Sequence, residues 1–168
     1  DYLETYLFSY FCIVNSLKMW TGPLGRPKDF EVGRYCVEAK ATGGSSSPAI
    51  KISSEDQLDT NGIAKLYLYV CSVSSSSCDG VGSFNLESKI EKVFLKSAAE
   101  DPVMGEFFLS LVYAVGYSEE DDYSNNYWTC SEIGTYLVEN TFPRIISSNL
   151  PNGIFKVKYC LQLASLEK

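Results

Sequence analysis

The sequence predicts a mostly β protein: an antiparallel β-sandwich or β-cup of about seven to eight strands, with one short amphipathic helix, stapled by disulfides. Three observations lead there. Apolar residues alternate with polar ones at period 2 in several separate stretches, and no βαβ rhythm appears. A clean helical period shows in a single stretch. The chain also carries six Cys and no His, and an even Cys count points to three disulfides.

The last stretch is the clearest. Pro151-Asn152-Gly153 is a turn signal. Beyond it Phe155, Val157, Tyr159, Leu161 and Leu163 fall on one face, and Lys156, Lys158, Cys160 and Gln162 on the other. That pattern is a half-buried strand.

At 168 residues the chain is expected to form one domain over 1–168. A hydrophobic content of 45% and an aromatic content of 14% are globular values. The net charge of −7 argues against nucleic acid, which needs clustered Lys and Arg, and gives no support to standing attachment to anionic membranes. Cysteines without a CxxC pair, in a chain without His, do not suggest zinc. The missing His excludes Ser-His-Asp and Cys-His catalysis and a His switch. No apolar run approaches the ~20 residues of a membrane span. Asp1-Tyr2-Leu3-Glu4 lacks a basic signal-peptide start and reads as a mature chain. No Asn-x-Ser/Thr sequon occurs.

Taken in order, Tyr2–Val14 reads as an extended lead-in and first strand, followed by a short strand near Leu17–Trp20 and a Gly/Pro loop to Lys28. From Gly33, Tyr35, Val37, Ala39 and Ala41 alternate with Arg34, Cys36, Glu38 and Lys40, the latter on the polar side. After the Thr42–Ser47 loop, Pro48–Ser53 completes a hairpin with that strand. Asn61-Gly62 marks a turn. Ile63–Val73 then sets Leu66, Leu68 and Val70 against Lys65, Tyr67, Tyr69 and Cys71.

Asn85–Lys96 is the helix, with Leu86, Ile90, Val93 and Phe94 in one stripe. Val103–Tyr117 is the most apolar stretch, expected as a core strand or short helix, with an exposed lipid-touching loop as the alternative. Ser118–Asn126 is an acidic loop whose carboxylates match no calcium-loop spacing. Trp128–Cys130 leads into a strand at Gly134–Glu139, and Phe142–Asn149 links it to the final strand.

Several stretches, in this order, resemble the ML-domain (MD-2-related lipid-recognition) family, in its ganglioside-activator-like branch. They are Cys12 with Ser16–Met19 and Gly22-Pro23-Leu24; Val32–Ala41 with Gly43–Pro48; Leu66–Cys71 with Cys78; the helix Phe84–Leu95; Cys130–Tyr136; and Leu150–Phe155 with Cys160 and Ala164-Ser165-Leu166. The resemblance spans nearly the whole chain. It implies the disulfides Cys12–Cys160 and Cys71–Cys78, leaving Cys36 with Cys130.

It also implies a cup lined rather than filled by apolar side chains. The lining would be Leu66, Leu68, Val70, Phe155, Val157, Tyr159 and Leu161, with Ile90 and Phe94 from the helix. Phe107, Phe108, Leu111, Tyr113, Trp128 and Phe142 would form the rim and membrane contact. Each of these also has a plain core reading. The function implied is that of a secreted or lysosomal lipid-binding and transfer protein holding glycolipid, phospholipid or fatty acid. Its partners would be lipid and, transiently, membrane, with no nucleic acid and no cofactor beyond a bound lipid. The alternative is a secreted non-enzymatic interaction or signalling protein with a packed interior. No enzyme is expected, since among the carboxylates only Glu106 has an apolar context suited to acid catalysis.

Overall fold

A short hairpin sets the position of everything that matters below. Phe30–Val32 (β1) and Tyr35–Gly43 (β2) pair antiparallel, with Phe30 opposite Val37 and Val32 opposite Tyr35. The two-residue loop between them needs a positive φ to match the strands' twist, and Gly33 supplies it at +61°. These strands belong to a computed structural model that describes residues 13–43, 47–77 and 80–166.

In chain order the described elements are α1 (Ile13–Met19), β1, β2, β3 (Ala49–Ile52), β4 (Lys65–Ser76), β5 (Ser83–Phe84), α2 (Leu86–Glu100), α3 (Pro102–Ala114), β6 (Tyr127–Leu137) and β7 (Tyr159–Gln162). They fall into two compact units. One is Asp1–Gly25 with Ser74–Cys130; the other is Arg26–Val73 with Ser131–Lys168.

The first unit is built on a helical hairpin. Asn85 caps α2, its side chain accepting from the Ser88 N–H at 2.7 Å. Asp101 ends α2 and caps α3, accepting from the Val103 N–H at 2.9 Å, and Pro102 at the first turn of α3 prevents one continuous helix. The helices touch at Gly105, where a Cβ would lie 2.8 Å from the Ala98 Cβ. Ile90, Phe108 and Val112 close on Ile13 and Leu17 of α1. Near the ends of this unit, β5 pairs with the start of β6, Ser83 facing Thr129.

The second unit carries β1, β2, β4 and β6 side by side in that order, and a separate two-stranded sheet of β3 with β7. β2 and β4 run parallel through nine residue pairs, from Tyr35–Lys65 to Gly43–Val73. Leu66, Leu68 and Val70 are completely buried, packed with Ile50, Ile52, Leu58, Tyr136, Phe142 and Leu161. Burying three such side chains contributes on the order of 5–9 kcal/mol before entropy is counted.

Several expectations are corrected here. The sheet is mixed, because the segment between β2 and β4 is long enough to return β4 parallel. Pro48–Ser53 forms a strand, but its partner is β7, with Ile50 opposite Leu161, and not β2. Leu17–Met19 is helical; the residues before Ile13 lie outside those described. Val103–Ala114 is a helix with a buried face, which is the core reading of that stretch. The last strand keeps the expected parity only from Tyr159 on. Before it, the N–H groups of Lys156 and Val157 bond the Glu55 carboxylate instead of a neighbouring strand, and Lys156 has φ +57°.

The disulfide staples are also corrected. Cys36, Cys130 and Cys160 carry free thiols, and no disulfide joins any pair of described cysteines, Cys71 included. Cys12 and Cys78 lie outside the described residues. Cys36 points into the second unit's core cluster, which contains no other cysteine for it to reach.

Candidate active site

β2 presents its charged residues inward. Cys36 and Glu38 are buried while Val37 and Ala39 are half-exposed, the reverse of the face assignment that hydrophobicity predicts. Glu38 is 1% exposed. Because Phe30 faces Val37, the preceding Asp29 is level with Glu38 across the hairpin. Asp29 is fixed there: its Oδ2 accepts the Ala39 N–H at 2.8 Å. Lys40, on the same face two residues on, places Nζ 2.6 Å from Glu38 Oε1.

The surroundings make this pair costly. Burial first, and then the charge of Asp29, push the Glu38 carboxyl up to about 7, although Lys40 and Lys28 pull the other way. The Glu38 oxygens have no hydrogen bond of good geometry. The contact with Lys40 is a close ion pair to Oε1, and it is one of the influences that hold the Glu38 pKa down. A carboxylate kept buried beside a second carboxylate, with an ammonium at Oε1 and no donor at Oε2, is a marker of a functional site.

A single turn organises the lysines. At residues 55–58, four consecutive residues each hold a different segment. Glu55 accepts the N–H groups of Lys156 and Val157, each at 2.9 Å. The carbonyl of Asp56 accepts from Lys28 Nζ. Gln57 Oε1 accepts from Lys40 Nζ at 3.2 Å and from the Ser53 N–H at 2.7 Å. The carbonyl of Leu58, itself a core residue, accepts from Arg144 at 2.9 Å. Lys28 is buried beside Asp29 in sequence, and desolvation lowers its pKa despite the nearby Glu38 and Cys36.

A hollow of about 600 Å³ between residues 60–66 and 137–141 is not lined by the pair. A smaller one of about 270 Å³ reaches Lys28, Arg34 and Cys36 on the hairpin. The carboxylate pair therefore sits on the hairpin, apart from the larger hollow.

The residues expected to line a cup are distributed otherwise. Leu66, Leu68, Val70 and Leu161 fill the second unit's core, and Tyr159 packs against it while its hydroxyl accepts the Ile145 N–H at 3.1 Å. Phe155 is 69% exposed and Val157 half-buried. Ile90 and Phe94 pack in the first unit. Of the expected rim, Phe108 and Leu111 are buried and Phe107 half-buried on α3. Tyr113 and Trp128 are exposed in the first unit, and Phe142 is buried in the second. Tyr113 donates its hydroxyl proton to the Glu119 carboxylate. Glu106, the one carboxylate singled out for catalysis, is exposed on α3.

Asp29, Glu38, Lys40 and Gln57 were not foreseen. The available signal was Glu38-Ala39-Lys40 inside a strand whose opposite face is itself apolar, with an Asp nine residues upstream across a Gly turn. A strand with Val and Ala on one side and Glu and Lys on the other has two possible interiors, and hydrophobicity selected the wrong one.

No curated protein and no solved structure matches the chain. Residues 2–164 match a family described as "Putative PD-(D/E)XK family member, (DUF4420)". The name is itself a residue pattern. Glu38-Ala39-Lys40 reads as its (D/E)XK element letter for letter. Pro27-Lys28-Asp29 departs from its PD element by the intervening Lys28.

The match overturns the ML-domain resemblance, and with it the lipid-binding function, the lipid partners and the exclusion of nucleic acid. The net charge is unevenly shared. The first unit has four Lys/Arg against twelve Asp/Glu, a net −8, whereas the second has ten against nine, a net +1. With its match over nearly the full length, the chain belongs to the DUF4420 family.

Proposed function

We propose that this chain is a nuclease that hydrolyses phosphodiester bonds with a divalent cation held by Asp29 and Glu38. The observation that carries the reading is the buried Glu38 carboxylate, raised to about 7, with Asp29 across from it and Lys40 alongside. PD-(D/E)XK proteins are typically nucleases and bind nucleic acid, which agrees with this donor set.

The residues fit a hard divalent cation. Both carboxylates offer oxygen; at Glu38 the Lys40 ammonium occupies Oε1 at 2.6 Å, and Oε2 carries no hydrogen-bond donor that a cation would have to displace. Among the described residues no cluster of three or more His, Cys, Asp or Glu forms a closed cage. One or two carboxylates, with water and substrate phosphate completing the shell, is how Mg²⁺ is commonly held. When bound, the cation would make a water acidic and offset negative charge on the phosphate.

The remaining roles belong to the chain itself. The Ala39 N–H holds Asp29 in place, so the two carboxylates stay level. Gln57 and Glu38 hold the Lys40 ammonium between them. There it can bond a phosphate oxygen and stabilise charge that develops during cleavage.

The test is cleavage of plasmid DNA and of labelled single-stranded DNA and RNA in Mg²⁺ or Mn²⁺, with chelator as control. Asp29→Asn, Glu38→Gln and Lys40→Ala should each lower the rate about 100-fold or more. A wild-type chain inert on all substrates with both metals, or variants as active as wild type, would refute the assignment.

A further inference from the structure

The loop ahead of β7 is built to hold an aromatic ring in solvent beside two lysines. Gly153 (φ +87°) closes a turn in which the Ile154 N–H bonds the Pro151 carbonyl at 3.1 Å. The chain leaves it with Ile154 and Phe155 exposed, Phe155 by 69%. Lys156 follows in the left-handed region, the one non-glycine described residue there, a conformation that strains an ordinary side chain. Glu55 holds it in that state, one carboxylate oxygen on the Lys156 N–H and the other on the Val157 N–H. Lys156 Nζ lies 5.9 Å from the Phe155 ring centre, and Lys158 is exposed two residues on.

An exposed Phe with two flanking lysines, fixed by a strained backbone, suits a partner with flat π faces and a polyanionic backbone. Unpaired bases stack on such a ring whatever their identity, while phosphates pair with lysine. The charge supports this, because these lysines belong to the unit whose net charge is +1 and not to the acidic one. The location supports it too. Glu55, which anchors the loop, and Gln57, which holds Lys40, are two residues apart in one turn. Their Cα atoms are at most about 7 Å apart. The loop and the carboxylate pair thus hang from the same anchor, within reach of one short oligonucleotide.

We infer that Phe155, Lys156 and Lys158 form a docking platform for single-stranded nucleic acid, with Phe155 stacking on a base and the lysines contacting phosphates. The choice of partner rests on the nuclease reading; the platform is a further assignment.

The test is fluorescence anisotropy of a fluorescein-labelled oligothymidine of roughly 12 nucleotides, titrated with the full chain in chelator so that nothing is cut. Phe155→Ala should weaken binding about tenfold or more, and Phe155→Trp should retain it. The double variant Lys156→Ala/Lys158→Ala should reduce the slope of log affinity against log salt by about 1.4. Melting curves of each variant verify the fold. Affinity of Phe155→Ala within about twofold of wild type, or an unchanged salt slope, would overturn the platform. The cleavage assay separates the two ideas. A chain that cuts nucleic acid but binds equally well without Phe155 loses the platform and keeps the nuclease reading. A chain that cuts nothing yet loses binding without Phe155 keeps the platform and loses the catalytic assignment.

Discussion

Replacing Glu38 with Gln should stabilise the fold at alkaline pH while abolishing cleavage. The carboxyl titrates near 4.5 when unfolded and at about 7 when folded. A group whose pKa is raised on folding contributes stability that is fully present below its unfolded value and lost as pH rises through the folded one. Between pH 4.5 and about 7 the wild type therefore loses on the order of 3 kcal/mol, at 1.36 kcal/mol per pH unit. Glu38 is 1% exposed, so solvent screens little of this.

Gln keeps the shape of the protonated acid and cannot ionise. It also removes the partner of Lys40, which offsets part of the gain. The net expectation is about 2 kcal/mol at pH 8, or roughly 4–8 °C in Tm, and almost nothing at pH 4.5. Urea denaturation of both proteins across this range measures it. Adding Mg²⁺ at pH 8 supplies a third reading: at about 100 times its Kd it should stabilise wild type by about 2.7 kcal/mol and leave Glu38→Gln unmoved. Parallel stability–pH curves for the two proteins would refute the claim that Glu38 is held ionised at a cost in a buried site.

Three further outcomes follow from the packing. Gly105→Ala puts a Cβ 2.8 Å from that of Ala98 and should cost about 1–3 kcal/mol in urea denaturation; adding Ala98→Gly should recover much of it. Glu55 is held below the usual carboxylate range by bonds from its own backbone N–H and from those of Lys156 and Val157. Its contribution is present above the ordinary carboxyl pKa and lost as pH falls through the depressed one, so hydrogen exchange at Lys156 and Val157 should accelerate in acid and, at neutral pH, in Glu55→Gln. Asn85→Ala removes the side-chain oxygen that accepts the Ser88 N–H and should cost about 1 kcal/mol, read as lost helicity and a lower Tm.

Sequence by itself determined the elements whose cause is local. Of the stripe Leu86, Ile90, Val93 and Phe94, the last three pack inward and Leu86 is exposed. Helical periodicity, which needs only near neighbours, locates α2, while its end at Glu100 lies beyond the expected Lys96. Leu66, Leu68 and Val70 mark a buried strand face, because alternation survives any choice of partner strand. Partners were another matter. Whether β3 joins β2 or β7, and whether β4 runs parallel or antiparallel to β2, depends on how a long segment returns, which no residue along it states.

The site was decided the same way. Glu38 and Lys40 lie on what the sequence marks as a solvent face, and only tertiary packing turns that face inward and brings Asp29 level with Glu38. Hydrophobicity reports which residues gain by burial. A functional carboxylate is buried at a cost borne by the rest of the fold, so its position contradicts the pattern and becomes visible only once the surrounding elements are in place.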